Sequence, residues 1–201
     1  MKHLIIYAHP NEQSLNSHFK QALAKHLQDT GHEVILRDLY ETNFNPILSL
    51  EDMNDQRVGK VCSEVKQEQD FISWANHITF IYPIWWTGMP AIMKGYIDRV
   101  FSYGFAYQYN QGVQKGLLAG KQTTIINTHG KSKAEYEAIG MGKALSLTSD
   151  KGIFSYCGLE IKEHFFFDKA DRPSPENIVE WTDQVIASYK NNDIKTGCII
   201  N

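Results

Sequence analysis

The chain has 201 residues, with 20 Lys plus Arg against 23 Asp plus Glu, a formal net charge of −3 and a pI near 6.2. That length fits one domain with its own core. The mild acidity argues against a general nucleic-acid or membrane-surface binder, whose attraction rests on clustered basic residues.

Hydrophobic residues at 42% and charged residues at 21% are ordinary globular usage and exclude a disordered chain. No apolar run nears the ~20 residues of a membrane span. The first apolar run, Leu4-Ile5-Ile6-Tyr7, is too short for a signal peptide and reads as a strand. Cys62, Cys157 and Cys198 stand far apart with no CxxC, against both a disulfide framework and a cysteine-rich zinc site. The eight histidines include no HExxH pair, so no metal is expected. A reducing cytoplasm is the expected location.

In chain order, the apolar run through Ala8 predicts a strand buried on both faces. His9-Pro10-Asn11 breaks it. Leu15, Phe19, Ala22, Leu23 and Leu27 then recur at helical spacing, and Gly31 supplies a stop. Val34-Ile35-Leu36 is a second strand, and residues 40–60 are a polar excursion with one short helix. Val61 to Ala75 predicts a helix, and His77 to Tyr82 a third strand closed by Pro83. Pro90 is placed at the first position of a helix to about Phe101. Thr123 to Asn127 is a fourth strand, and a helix ends before Gly158. Leu159 to Phe167 is a fifth strand, and Ser174-Pro175-Glu176 opens a last helix. Residues 1–190 are read as one domain and 191–201 as a loose tail in which Ile199-Ile200 has no evident place.

Strands alternating with helices predict a doubly wound α/β fold: a five-stranded parallel sheet between two helical layers. Its ligand belongs at the carboxyl ends of the strands, which selects three loops. In the first, Ser14 and Asn16 stand at a helix start that can hold a phosphate, or Ser14 is an ordinary N-cap. In the second, Trp85 and Trp86 can wall a planar ring or fill the core. In the third, Thr128-His129-Gly130-Lys131 with Tyr136 can cradle a ring edge and place a proton donor, or form a plain surface loop. Phe101, Tyr103, Phe105, Tyr107 and Tyr109 alternate with small or polar residues, which puts their rings on one side of an extended segment. Either the core or a second subunit covers that face, and a subunit is favoured. Reactive groups are few, as in an enzyme whose cofactor carries the chemistry.

His9-Pro10-x-x-x-Ser14-Leu15-Asn16, Pro83-x-x-Trp86-x-Gly88-x-Pro90-Ala91-Ile92-x-Lys94-Gly95-x-x-Asp98-Arg99-Val100-Phe101, Phe105-Ala106-Tyr107 and Cys157-Gly158-Leu159 resemble the NAD(P)H:quinone oxidoreductase family, the DT-diaphorase-like branch of the flavodoxin-like proteins. The resemblance spans about residues 2–190. It implies a flavodoxin-like fold, a bound flavin, a homodimer, and two-electron ping-pong hydride transfer from NAD(P)H to a quinone-like acceptor.

Carried over by position, His9, Ser14, Leu15 and Asn16 hold the flavin's phosphate end, with FAD favoured over FMN. Pro83, Ile84, Trp85, Trp86 and Thr87 line its ring, and Asn127, Thr128, His129 and Gly130 form the second ring-contacting loop. Tyr107 and Tyr109 close the partner subunit's site, and Tyr136 lies near the flavin. A histidine that some members pair with this tyrosine is missing from 140–142, so proton handling is assigned to His129 or Tyr136. Two other readings stay open: a regulatory ancillary subunit of a potassium-efflux system, and a flavodoxin-type electron carrier.

Overall fold

The structure, a computed structural model, describes residues 1–196. Five parallel strands form the sheet: β1 (Lys2–Tyr7), β2 (Glu33–Asp38), β3 (His77–Pro83), β6 (Gln122–Thr128) and β7 (Glu160–Phe167), in the order β2-β1-β3-β6-β7. The helices are α1 (Leu15–Asp29), α2 (Leu50–Arg57), α3 (Ser63–Trp74), α4 (Ala91–Val100), α5 (Lys133–Ala138), α6 (Met141–Ser146) and α7 (Pro175–Thr196).

The continuous apolar run of β1 resolves into two faces, as the strand period of two requires. Ile5 and Tyr7 pack with Phe19, Leu23 and Leu27 of α1 and Val185 and Tyr189 of α7. Leu4 and Ile6 pack with Val65 and Ile72 of α3 and Met93, Tyr96 and Val100 of α4. Each sheet face therefore carries a helical layer, giving the expected three-layer α/β/α architecture. The excursion through α2 is tied back by Arg99. Its guanidinium reaches the Asn45 carbonyl at 2.7 Å, Glu64 at 2.5 Å and Asp52 at 3.3 Å.

Several expectations are corrected. Pro90 is the N-cap of α4 rather than its first residue. The run from Phe101 to Tyr109 is not one extended segment, because Gly104 turns the chain at φ +82°. Phe101 is buried and Phe105 packs on the core, while Tyr103 and Tyr109 face outward. Only Tyr107 and Tyr109 lie on a strand, β4 (Tyr107–Asn110), which forms an antiparallel hairpin with β5 (Val113–Gly116). The helix before Gly158 is two short helices followed by a π-helical segment, Leu147–Ser155. The last helix continues to Thr196, past the expected start of the tail, and Ile199-Ile200 lies outside the described residues.

Two positions generate stability predictions. A Cβ on Gly95 would lie 2.1 Å from the Pro46 carbonyl oxygen, so Gly95→Ala forces backbone apart. The expected cost is about 2–3 kcal/mol, read as a Tm lowered by roughly 4–12 °C. His77 is buried at the start of β3, and desolvation pushes its imidazole down to about 4. The unfolded chain accepts this proton near pH 6.5 and the folded chain resists it. The contribution is therefore whole above pH 6.5 and is lost as pH falls toward 4, by roughly 3 kcal/mol. Thermal melts across that range should show the loss, and His77→Asn should flatten it.

Candidate active site

The carboxyl ends of β1, β3 and β6 bring the three selected loops together. They line one cleft of about 670 Å³ whose walls include His9, Ser14, Leu15, Asn16, Pro83, Ile84, Trp85, Thr128, His129 and Gly130. The cleft runs on to Ala170, Asp171, Pro173 and Ile178. This last wall was not predicted, because it lies in a polar stretch with no motif.

The first loop is held by its own polar groups. The Ser14 hydroxyl accepts from the Ser17 amide at 3.1 Å, capping α1, and the Gln13 amide donates to Asn11 Oδ1 at 2.9 Å. Lys20 is buried and bridges Glu12 at 3.2 Å and Asp38 at 2.9 Å, its ammonium 4.2 Å from the Tyr7 ring centre. Burial opposes the Lys20 charge, and the bonds to Asp38 and Glu12 outweigh it, so its pKa is raised. The pair anchors the loop from beneath. Burial pushes the His9 imidazole pKa down.

In the second loop the backbone makes a tight turn, with Trp85 and Gly88 exchanging N–H···O bonds of 3.0 and 3.1 Å. Trp86 and Thr87 inside it hold φ of +50° and +57°, a conformation that costs a non-glycine residue of order 1–3 kcal/mol. Neither indole fills the core. Trp85 is 41% exposed, 5.7 Å from the His9 ring, and Trp86 is fully exposed. Trp86 and Thr87 do not line the cleft.

In the third loop Asn16 Nδ2 donates to the Thr128 hydroxyl at 2.7 Å, joining it to the first loop. The His129 ring is buried and stacks on Tyr136 at 4.6 Å, with 9° between planes. Burial pushes the His129 imidazole pKa down. Tyr136 does not line the cleft; with His129 it lines a second cavity of about 310 Å³, together with Lys143, His164 and Phe166. Asn127 turns away from the cleft into a smaller cavity of about 290 Å³ lined by Tyr82, Ile84 and Met89. Tyr107 and Tyr109 lie on the hairpin, where the Tyr109 hydroxyl meets that of Tyr156 at 2.8 Å.

Two buried polar atoms among the described residues have no partner where the loops meet: Asn16 Oδ1 and His129 Nδ1. Buried polar groups are normally satisfied, so such atoms mark a place for a polar ligand. Among the described residues no group of histidine, cysteine, aspartate and glutamate is arranged to hold a metal ion, and no helix is long and apolar enough to cross a membrane.

A cleft at the carboxyl edge of a doubly wound sheet, beside the β1/β3 switch point, is the ligand site of a nucleotide- or flavin-binding α/β fold. Residues 1–189 match the family described as having a flavodoxin-like fold. The chain is 46% identical over 193 residues to an uncharacterized NAD(P)H oxidoreductase of Haemophilus influenzae, covering 90% of this chain and 94% of that one. It is 31% identical over 180 residues to NAD(P)H dehydrogenase [quinone] 1 of Rattus norvegicus, covering 80% of this chain and 66% of that one. Smu.1420 from Streptococcus mutans superposes with a TM-score of 0.84 at 32% identity, covering 95% of this chain and all of that one. The chain belongs to the flavodoxin-like family, in its NAD(P)H:quinone oxidoreductase branch.

Removing Lys20 tests the anchor of the first loop. Lys20→Ala leaves Asp38 as an uncompensated buried carboxylate, and a loss of about 3–5 kcal/mol is expected in denaturant unfolding. A loss below about 1 kcal/mol would show that Glu12 and Asp38 do not depend on the ammonium.

Proposed function

We propose that the 670 Å³ cleft binds a flavin and that the chain is a flavin-dependent NAD(P)H:quinone-type oxidoreductase. The oxidoreductase class follows from the family; the flavin is inferred from the cleft together with the relatives, and the acceptor from the relatives alone. The observation that carries the reading is the pair of orphaned polar atoms, Asn16 Oδ1 and His129 Nδ1, where the three loops meet. A flavin's hydroxylated chain and the polar edge of its ring offer the partners these atoms lack. A bound flavin would supply hydride acceptance from NAD(P)H and donation to the acceptor, in ping-pong order.

The chain's own task is placement. The α1 N-terminus, with Ser14, Leu15 and Asn16, holds the phosphate end by backbone N–H groups and the helix dipole, with His9 beside it. This suits a chain whose formal net charge is −3. Pro83, Ile84 and Trp85 flank the ring, and Trp86 and Thr87 on the strained turn face a second copy of the chain. Thr128, His129 and Gly130 form the other ring wall, with Asn127 behind them. Tyr107 and Tyr109 of that second copy close the site in a homodimer. FAD is favoured over FMN because the cleft extends past the phosphate end to Ala170, Asp171, Pro173 and Ile178, leaving room for a second nucleotide half. The Tyr136 hydroxyl and the stacked His129 imidazole hold the proton that the acceptor takes up. The expected acceptor is a small quinone or similar electrophile, met in the cytoplasm.

The test begins with the chromophore of the purified protein, released and identified by chromatography, with FAD expected. NAD(P)H should bleach it rapidly and a quinone restore it. His129→Ala and Tyr136→Phe should each lower quinone turnover by about 10²-fold. Unchanged rates in both variants overturn the proton assignment. A protein that takes up neither FAD nor FMN overturns the whole reading.

A further inference from the structure

Asn127, at the carboxyl end of β6, is the start of a partly buried chain of hydrogen bonds that sequence reasoning missed. Its Nδ2 donates to the Tyr82 carbonyl at 3.0 Å. A carbonyl only accepts, so the amide must turn its NH₂ toward β3 and its oxygen toward β7. There Oδ1 lies 2.8 Å from Nε2 of His164. His164 Nδ1 in turn lies 2.8 Å from Asp150 Oδ1, and the Ser149 hydroxyl lies 2.8 Å from the same oxygen. The imidazole is clamped by Phe166, stacked at 3.9 Å.

Both ring nitrogens of His164 therefore face acceptors. A proton on Nε2 donates to the Asn127 oxygen, and Nδ1 faces the Asp150 carboxyl. Asp150 reaches this place from the π-helical segment Leu147–Ser155. The wider turn carries an extra residue and re-aims side chains, which is why such segments gather at functional sites.

We propose that Asp150 and His164 are positioning residues: with the Tyr82 carbonyl they hold the Asn127 amide in one orientation at the wall of the cavity beside Ile84, its NH₂ toward β3 and its oxygen toward β7. Asn127 lines that cavity and His164 does not. Without the His164 donor, the Asn127 oxygen has no partner at 1% exposure, and the Tyr82 carbonyl alone is left to hold the amide. The consequence for a flavin rests on the function proposed above; the positioning itself does not.

The experiment has two arms on the full chain. In flavin-free, ¹⁵N-labelled protein, the Asn127 side-chain amide protons should exchange slowly. His164→Leu should speed that exchange at least about tenfold, and His164→Gln, which keeps a donor, should restore it. In titrations with FAD and FMN, His164→Leu should weaken binding about tenfold and His164→Gln by less than about threefold. Unchanged exchange in His164→Leu overturns the positioning, and unchanged affinity overturns its consequence for the ring. Should His164→Leu fail to fold, Asp150→Asn decides by the same two readouts, with faster exchange and weaker binding expected. A wild-type protein that binds neither flavin overturns the proposed function alone, because the exchange measurement still decides the positioning.

Discussion

The cleft depends on a ladder that does not stop where the strands stop. Past the ends of four of the five strands, the next backbone amide donates to the neighbouring strand or its loop. Leu39 donates to the Tyr7 carbonyl at 3.0 Å, Ala8 to Ile81 at 3.0 Å, Ile84 to Thr128 at 2.7 Å and His129 to Phe167 at 2.9 Å. A parallel sheet aims its carboxyl ends one way, so these bonds lock the roots of four loops at a common edge. The side chains above can then be polar, strained or exposed without loosening the frame. That is the arrangement a placement site needs, because small displacements of positioned groups cost rate steeply.

The same edge explains the distribution of buried polar groups. Lys20, Asn16 and Asn127 are all nearly inaccessible, and all lie under or beside the loops. Burying each costs free energy unless it is hydrogen-bonded. Lys20 is satisfied by two carboxylates and Asn127 by the Tyr82 carbonyl and His164. Asn16 is satisfied only on its NH₂ side. Several of the costly groups thus sit at the cleft edge, and Asn16 Oδ1 is left there without a protein partner.

Much of the frame was legible because it rests on local period. The apolar run of β1, the helical spacing of Phe19, Leu23 and Leu27, and Pro83 after β3 each carry their own signal. Residues without such a signal were misread. The alternation from Phe101 to Tyr109 has a strand's period, but Gly104 at φ +82° breaks it, so Phe101 and Phe105 enter the core. The hairpin turn at Gln111-Gly112, both with positive φ, was the available cue for β4 and β5. Asp150 and His164 had none. They are 14 residues apart and meet only because β7 returns beside the π-helical segment, a pairing no spacing rule encodes.

The aromatic residues show where the chain is incomplete by itself. Of its 10 Phe, 10 Tyr and 4 Trp, the core takes rings such as Phe19, Phe80, Phe154 and Tyr96 outright. Trp86 is the opposite case, with a left-handed backbone and a fully exposed indole. The conformation is a cost, and exposure denies the burial of the largest apolar side chain that would offset it. Tyr103 and Tyr109 are half exposed on the neighbouring turn and hairpin. Single exposed rings need no explanation, but a strained one beside a cleft with orphaned polar atoms does. A planar ligand and a second copy of the chain, as proposed, would cover these rings and those atoms together. One association would thereby offset the strain of the turn and the desolvation of the loop groups at once.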